Sequence, residues 1–515
     1  MNFHDPASST ADQLFDRTGS TGGTVQRTAL NASHLPLKDA AYNAADSAKT
    51  PYEILADTRA AKHIEAALRK LRTEGYEVYN FEARGGTPGF GIGDTDAVNN
   101  TKVWNRIIDE IDTAGSPNPE RWNAILFPGD GYEFKEDGGT EILRSATVGA
   151  NITVIGNRSA LRAHAGANAA FPLFYFQDSS RIVLEGVEIN RNGTTAGSSA
   201  VKVASTTSPV NYFRISNCVV SGGERGIHVV SPATKAVTNI WVNDLYVLSY
   251  ALRGLEMESI QDATVSDVTF SGVAVGLNDI YVTAPTSTHY LSGLKITHNK
   301  LSGRLFVAGS SASHSRVTVD SNTLNSGDMT LTNIDLLTTF DNWLLAGGVA
   351  ITFNTAETYR GLKLLKSFVN GGISGGPGIW IIASNSAIVE SPEIDGGEIH
   401  TPPRDGITLE ATGAARIKWG RFHDILVKGA GQTTTNTYDS VQVKSGVQDS
   451  IFHDIICRST DAAKKQRYGI NELAAANNVD NLYHDNWVKG WGTAYLNLLG
   501  TLPIDQHNVD KGTGV

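Results

Sequence analysis

From about residue 150 onward, apolar and polar residues alternate at period two. The segments "RIVLEGVEIN", "VNDLYVLS", "ATVSDVTFSG" and "SRVTVDSNTL" are rich in Val, Ile and Thr and are bounded by Gly, Asn and Asp, which predicts half-buried strands closed by turns. A hydrophobic residue ahead of a small polar corner returns at Val154, Leu184, Ile215, Trp241, Val265, Ile296, Val319, Ile351, Val389, Phe422, Phe452 and Tyr483, at intervals of 23 to 38 residues. A helical repeat does not tolerate such variation, because one missing residue rotates every side chain after it. A stack of short strands does, because insertions enter the loops. Three strands per coil of about 25 to 30 residues predicts an all-β chain wound as a right-handed parallel β-helix over about 150–495. Asn217, Asn243, Asp267, Asn299, Asn322, Asp424, Asp454 and Asp485 are expected at its corners, since Asn and Asp tolerate the left-handed conformation.

The N-terminal part reads differently. Residues 1–75 form a leader with one helix, in "PYEILADTRAAKHIEAALRKLRTEG", expected to serve as a cap or an attachment segment. The start has neither a basic nor an apolar stretch of the signal-peptide kind. A second helix is predicted from about 97 to 113, with Val98, Val103, Trp104, Ile107, Ile108 and Ile111 apolar. It would cap the open end of the coil stack, within an opening module at 76–149. Residues 496–515 read as a tail.

The frame "RGIHVV" (225–230) recurs as "RGLEME" (253–258) with His228 replaced by Glu256. In such a frame the aliphatics point inward and the middle residue outward. Aligning the frames stacks Tyr175, Lys202, His228, Glu256 and Asn278 as an outward column, with Arg225 and Arg253 upstream and Glu258 two residues beyond Glu256. Lys202, His228, Glu256 and Glu258 are the candidate catalytic residues, and Tyr175, Arg225, Arg253 and Asn278 the candidate substrate-binding ones. Two carboxylates suit glycosidic hydrolysis. A Lys, His or Tyr base, with Arg neutralising a uronate, suits β-elimination. Both chemistries remain open at this level, and so does a plain solvated surface.

A second concentration of charge, Arg404, Asp405, Glu410, Arg416, Lys418 and Lys444, is a rival site. His423, His453 and His484 follow one another at 30 and 31 residues and are expected as a corner ladder rather than metal ligands. Tyr175, Tyr246, Tyr250, Tyr281, Tyr290, Trp343 and Trp380 are expected in or near the outward face, where flat rings stack on sugars.

Composition narrows the function. The 515 residues carry a formal net charge of -10, which argues against nucleic acid as the main partner. Mean hydropathy is -0.18, and no membrane association is expected. Cys218 and Cys457 are far apart, so neither a disulfide framework nor a zinc site is indicated. No cofactor and no essential metal are expected.

Phe81, Ala83, Gly85, Gly93, Asp94, Asp96 and Thr101, then Phe127, Pro128, Gly129 and Tyr132, resemble the opening motif of the pectate-lyase-like β-helix superfamily. Glu82 replaces the usual first Gly, and the Asp-Asp-Thr is loosened to Asp96, Asn100 and Thr101. "RIK" at 416–418 is similar to a polygalacturonase motif, but that family's other signatures are missing. The resemblance is specific for fold and broad for reaction. It implies a polysaccharide depolymerase of the phage tailspike type: an extracellular, virion-borne homotrimer, attached through its N-terminus, that binds and cleaves capsule, O-antigen or exopolysaccharide. A non-catalytic glycan-binding fibre and a uronan epimerase or fructotransferase are the alternatives.

Overall fold

The structure, a computed structural model, describes residues 76–514 apart from 114–121, 129–130, 139–141, 145–150, 233, 275, 462, 464 and 475–476. The expected leader and its helix lie outside the described residues. The unit Tyr79–Val515 is a parallel β-helix. Its strands form one 14-stranded sheet, one 27-stranded sheet that covers two faces, and a small 4-stranded sheet. The core is a single column of buried aliphatic and aromatic residues shared by all coils.

The period-two pattern produces this arrangement directly. In Tyr212–Ser221 and Val237–Leu248 every inward residue is buried and pairs with its counterpart one coil away: Ile215 with Val242, Leu245 with Cys218, Val247 with Val220. Like side chains stack on like, about 4.8 Å apart. The true core rung runs Val154, Leu184, Ile215, Val242, Val265, Ile296, Val319, Thr339, Leu364, Ile394, Phe422, Phe452 and Tyr483. Three expected members are corrected. Trp241 is the exposed neighbour of the rung, while Ile351 and Val389 belong to the other two sheets. Coils here are as short as 20 residues, and the spacing skips one of them.

The corners explain how long strands cover two faces. Asn217, Asp244 and Asp267 sit inside continuous strands at φ 52°, 54° and 57°, and Asp424, Asp454 and Asp485 repeat the conformation lower down. The expected Asn243, Asn299 and Asn322 are each one residue off, because Asp244, His298 and Ser321 take the left-handed position. Asn299 and Asn322 are instead buried and build an internal ladder. The Asn299 side-chain amide donates to Asn322 Oδ1 at 2.9 Å and to the Val265 carbonyl at 3.0 Å. Asn322 repeats this toward Asn342 Oδ1 at 3.0 Å and the Ile296 carbonyl at 2.9 Å. Each amide thereby pairs the backbone groups that the corner takes out of the sheet.

The predicted helix forms as α1 (Asp94–Thr113). Trp104, Ile107 and Ile108 are fully buried, and Trp104 packs on Phe127 and Phe174, with ring centroids 6.4 and 5.6 Å away. Asn100 ties the preceding loop to the sheet: its Oδ1 accepts from the Thr87 amide at 2.7 Å, and its Nδ2 donates to the Thr87 and Glu133 carbonyls. At the other end the coils continue beyond 495, with Ile504–Gln506 and Val509–Asp510 paired to the coil before them. No helix among the described residues is long and apolar enough to cross a membrane.

Candidate functional site

The outward column lies on the 14-stranded sheet. Tyr175, Lys202, His228 and Glu256 are direct register partners on successive strands. The next rung is Tyr281, not Asn278, which instead pairs with Arg253. The frame in that coil is "IYV", three residues after the expected "LND", because Leu277 still belongs to the incoming turn. The column then continues Phe306, Thr330, Ala350, Trp380, Thr408, Gln442 and Asn471.

Its N-terminal end is organised by ion pairs. Glu256 is buried, and its two oxygens are taken by Arg225 Nε and Arg253 NH1. Arg225 also reaches Glu224 at 2.5 Å. Glu258 faces His289, with 3.4 Å between Nε2 and Oε1. The two glutamates therefore face different partners, two arginines and a histidine. Burial, together with Arg225, Lys202 and Arg253, pushes His228 down to about 3, so it is neutral at pH 7 and far too weak a base for proton abstraction there. Lys202 is lowered by burial and by Arg225, and its ammonium stands 5.1 Å from the Tyr175 ring centroid.

The rival concentration becomes a cleft at the other end of the same face, a cavity of about 430 Å³ lined by Trp380, Arg404, Asp405, Tyr438, Lys444 and Arg467 among others. Asp405 precedes the strand Ile407–Ala411 and is nearly buried. Burial raises its carboxyl to about 6, against the hydrogen bond from the Asp439 backbone N–H, which lowers it. Asp439 is fully buried and receives Arg467 through Nε at 3.0 Å and NH2 at 2.7 Å, and Asn471 at 2.7 Å. Lys444 pairs with Glu410 at 3.0 Å and lies 5.6 Å from the Trp380 ring centroid. The Trp380 indole N–H is buried without an acceptor among the described residues.

Arg404, Asp405 and Lys444 were legible in the sequence, with Glu410 behind Lys444. Arg416 and Lys418 are not part of the cleft. They belong to the small sheet, and Arg416 donates to the Gly413 and Ala415 carbonyls. Asp439, Tyr438 and Arg467 carry no local signal: Tyr438 and Asp439 come from a loop, Asp439 lying 34 residues from Asp405, and Arg467 from the strand Gln466–Glu472, 28 residues beyond Asp439. Trp380 carried a usable signal, standing at the middle position of the frame "GIWI".

The three histidines do form a ladder, with rings 4.8 and 4.9 Å apart and nearly parallel, each Nδ1 on the following aspartate. Asp395, His423 and Asp424, at its top, are the one group of metal-ligand reach among the described residues. Of the aromatics expected on the outward face, Tyr250 is buried and donates to Asp279, while Tyr246 and Trp343 are exposed on the large sheet.

No protein-family model and no curated protein matches the sequence. Among solved structures, the chain is similar to the A-module of the Azotobacter vinelandii mannuronan C-5 epimerase AlgE6, at 12% identity and TM-score 0.40, covering 84% of this chain and 99% of that one. It is also similar to the tailspike protein of E. coli bacteriophage HK620 in complex with pentasaccharide, at 9% identity and TM-score 0.46, covering 84% and 81%.

Proposed function

We propose that this chain is an extracellular polysaccharide depolymerase of the phage tailspike kind, which binds a bacterial surface glycan along the 14-stranded sheet and cleaves it in the Asp405 cleft. The observation that carries this reading is Asp405 itself: a carboxyl raised to about 6 in a cleft that also holds a tryptophan and three cations. Such a group keeps a proton near neutral pH and can give it to a departing glycosidic oxygen. In hydrolysis the C–O bond breaks as that oxygen takes the Asp405 proton, and water adds to the anomeric carbon and releases a proton. Trp380 supplies an apolar wall and an unpaired N–H for a sugar oxygen.

Arg404, Lys444 and Arg467 favour a second reading, β-elimination on a uronate. There the cations neutralise the uronate carboxylate, a base removes the proton beside it, and the glycosidic bond breaks to leave a double bond.

The test is incubation of the full chain and of Asp405→Asn with a panel of capsule, O-antigen and exopolysaccharide, following reducing ends and the ultraviolet absorbance of unsaturated uronates. Reducing ends without absorbance, lost in Asp405→Asn, support hydrolysis; both signals together support elimination. Cleavage that survives in Asp405→Asn removes this residue from the mechanism, and binding without cleavage leaves a recognition fibre.

The assembly expected is a homotrimer attached through residues 1–75. What supports lateral packing is a second outward column on the large sheet: Trp343, Phe368, Glu398, Leu426, Ile456, Trp487 and Val509, apolar at all but one rung. Exposed apolar ladders of this length mark interfaces. Light scattering on the intact chain should give three times the 55.0 kDa chain mass, and a monomer would refute this assembly.

A further inference from the structure

The N-terminal end of the column holds three donors without acceptors among the described residues. Lys202 Nζ sits over the Tyr175 ring and makes no ion pair or hydrogen bond with any described residue. The His228 imidazole, one rung away, is likewise without a hydrogen-bond partner among the described residues. Arg253 Nε is buried and unpaired, although NH1 of the same guanidinium holds Glu256. Of the three, Arg253 Nε is the fully buried atom, while Lys202 and His228 are half-buried; a buried polar atom left unpaired in a native protein calls for a ligand, an ion or water.

Charge favours an anion. Arg225 pairs with Glu224 and Glu256, Arg253 with Glu256, and Glu258 faces His289, which leaves Lys202 as the cation of this end without a carboxylate partner among the described residues. Glu256 fixes both guanidinium groups and thereby sets their direction. Aromatic rings bracket the donors along the column, Tyr175 on one side and the stacked Tyr281 and Phe306, 4.8 Å apart, on the other. Arg253 lies over the Tyr281 ring, 3.5 Å from its centroid, as Lys202 lies over Tyr175, so these rings hold the two cations in place.

We propose that Lys202, His228 and Arg253 form a binding site for the carboxylate of an acidic sugar, remote from the cleft and engaging another unit of the same glycan chain. Seven rungs separate His228 from Thr408 beside Asp405, about 34 Å at about 4.8 Å per rung. A glycan held at both ends must be long, so the site selects extended chains over short oligosaccharides. The sugar nature of the ligand rests on the depolymerase reading; the anion site itself does not.

The experiment uses the full chain with ring-labelled histidine, titrated with sodium glucuronate and, in parallel, with glucose and with sodium chloride at matched ionic strength. The His228 ring signal is assigned by its loss in His228→Gln. The expected result is a saturable shift of that signal with glucuronate alone. Lys202→Met should weaken glucuronate binding by about tenfold or more, in line with loss of a charge-assisted hydrogen bond, and Lys202→Arg should retain most of it. Asp405→Asn should leave the shift unchanged, so failure of the cleavage reading and failure of this site are separable. No shift beyond that with sodium chloride, an equal response to glucose, or identical binding by Lys202→Met with unchanged thermal unfolding would each overturn the proposal.

Discussion

The backbone N–H of Asp439 donates to Asp405 Oδ1 at 2.8 Å, while the Asp439 carboxylate is held by Arg467. One loop residue thus fixes the orientation of the cleft carboxyl; its N–H bond favours the ionised form and its charge opposes it, while burial is the larger effect that raises Asp405. Asp439 itself is fully buried and is a positioning residue; Asp405 is the one carboxyl of this pair that lines the cleft.

Asp405 should make both activity and stability pH-dependent. Its carboxyl is raised from 3.8 to about 6 in the fold. The folded state therefore holds the proton more tightly than the unfolded chain, and the resulting stability is complete below about pH 4 and lost as pH rises through about 6. The difference is of order 3 kcal/mol at about 1.4 kcal/mol per tenfold change in proton affinity. Asp405→Asn, which is neutral and nearly isosteric, should flatten this part of the stability profile, as read by urea unfolding at pH 4 and pH 8. The catalytic rate should fall on the alkaline side of about pH 6, and a rate constant up to pH 8 would exclude Asp405 as the proton donor.

Trp380→Ala should reduce productive binding more than folding. The ring lines the cleft and sits on an outward rung, so its loss removes a sugar-stacking wall without opening the core. A rise in KM of about tenfold is expected, from about 1 to 1.5 kcal/mol of lost aromatic contact, with thermal unfolding little changed.

Asn322→Ala should destabilise the coils by about 2 to 3 kcal/mol, since it leaves buried backbone and amide groups of Ile296, Asn299 and Asn342 unpaired. Asn243→Ala, on the exposed flank of its corner, should cost far less. Equal losses in denaturant unfolding would show that the ladder has no special role.

Chelation should leave activity intact. Asp395, His423 and Asp424 belong to a surface ladder in which His423 Nδ1 already lies 2.8 Å from Asp424, and none of the three lines the Asp405 cleft. Activity lost on prolonged dialysis against EDTA and restored by a divalent cation would refute this.

What could be read from the sequence is what depends on near neighbours. Period-two alternation commits a residue to the inside or outside whatever lies on the next coil, so the solenoid, the middle position of "GIHV" and "GLEM", and the helix ending at Thr113 are visible in one dimension. Corners are nearly so. Asn217, Asp267 and Asp424 announce themselves by side-chain chemistry, whereas His298 and Ser321 do not, and their neighbours Asn299 and Asn322 draw attention one residue too late. The tertiary structure alone decided which residues share a rung, because that follows from the summed length of every loop between them. The incoming turn at Leu277 moved the column from Asn278 to Tyr281. It also decided the chemical state of each group. Glu256 is held by two arginines and His228 is kept neutral by burial among cations, while burial raises the Asp405 carboxyl, which the backbone N–H of Asp439, 34 residues away, orients. Desolvation and charge pairing act through space, and no pattern along the chain records them.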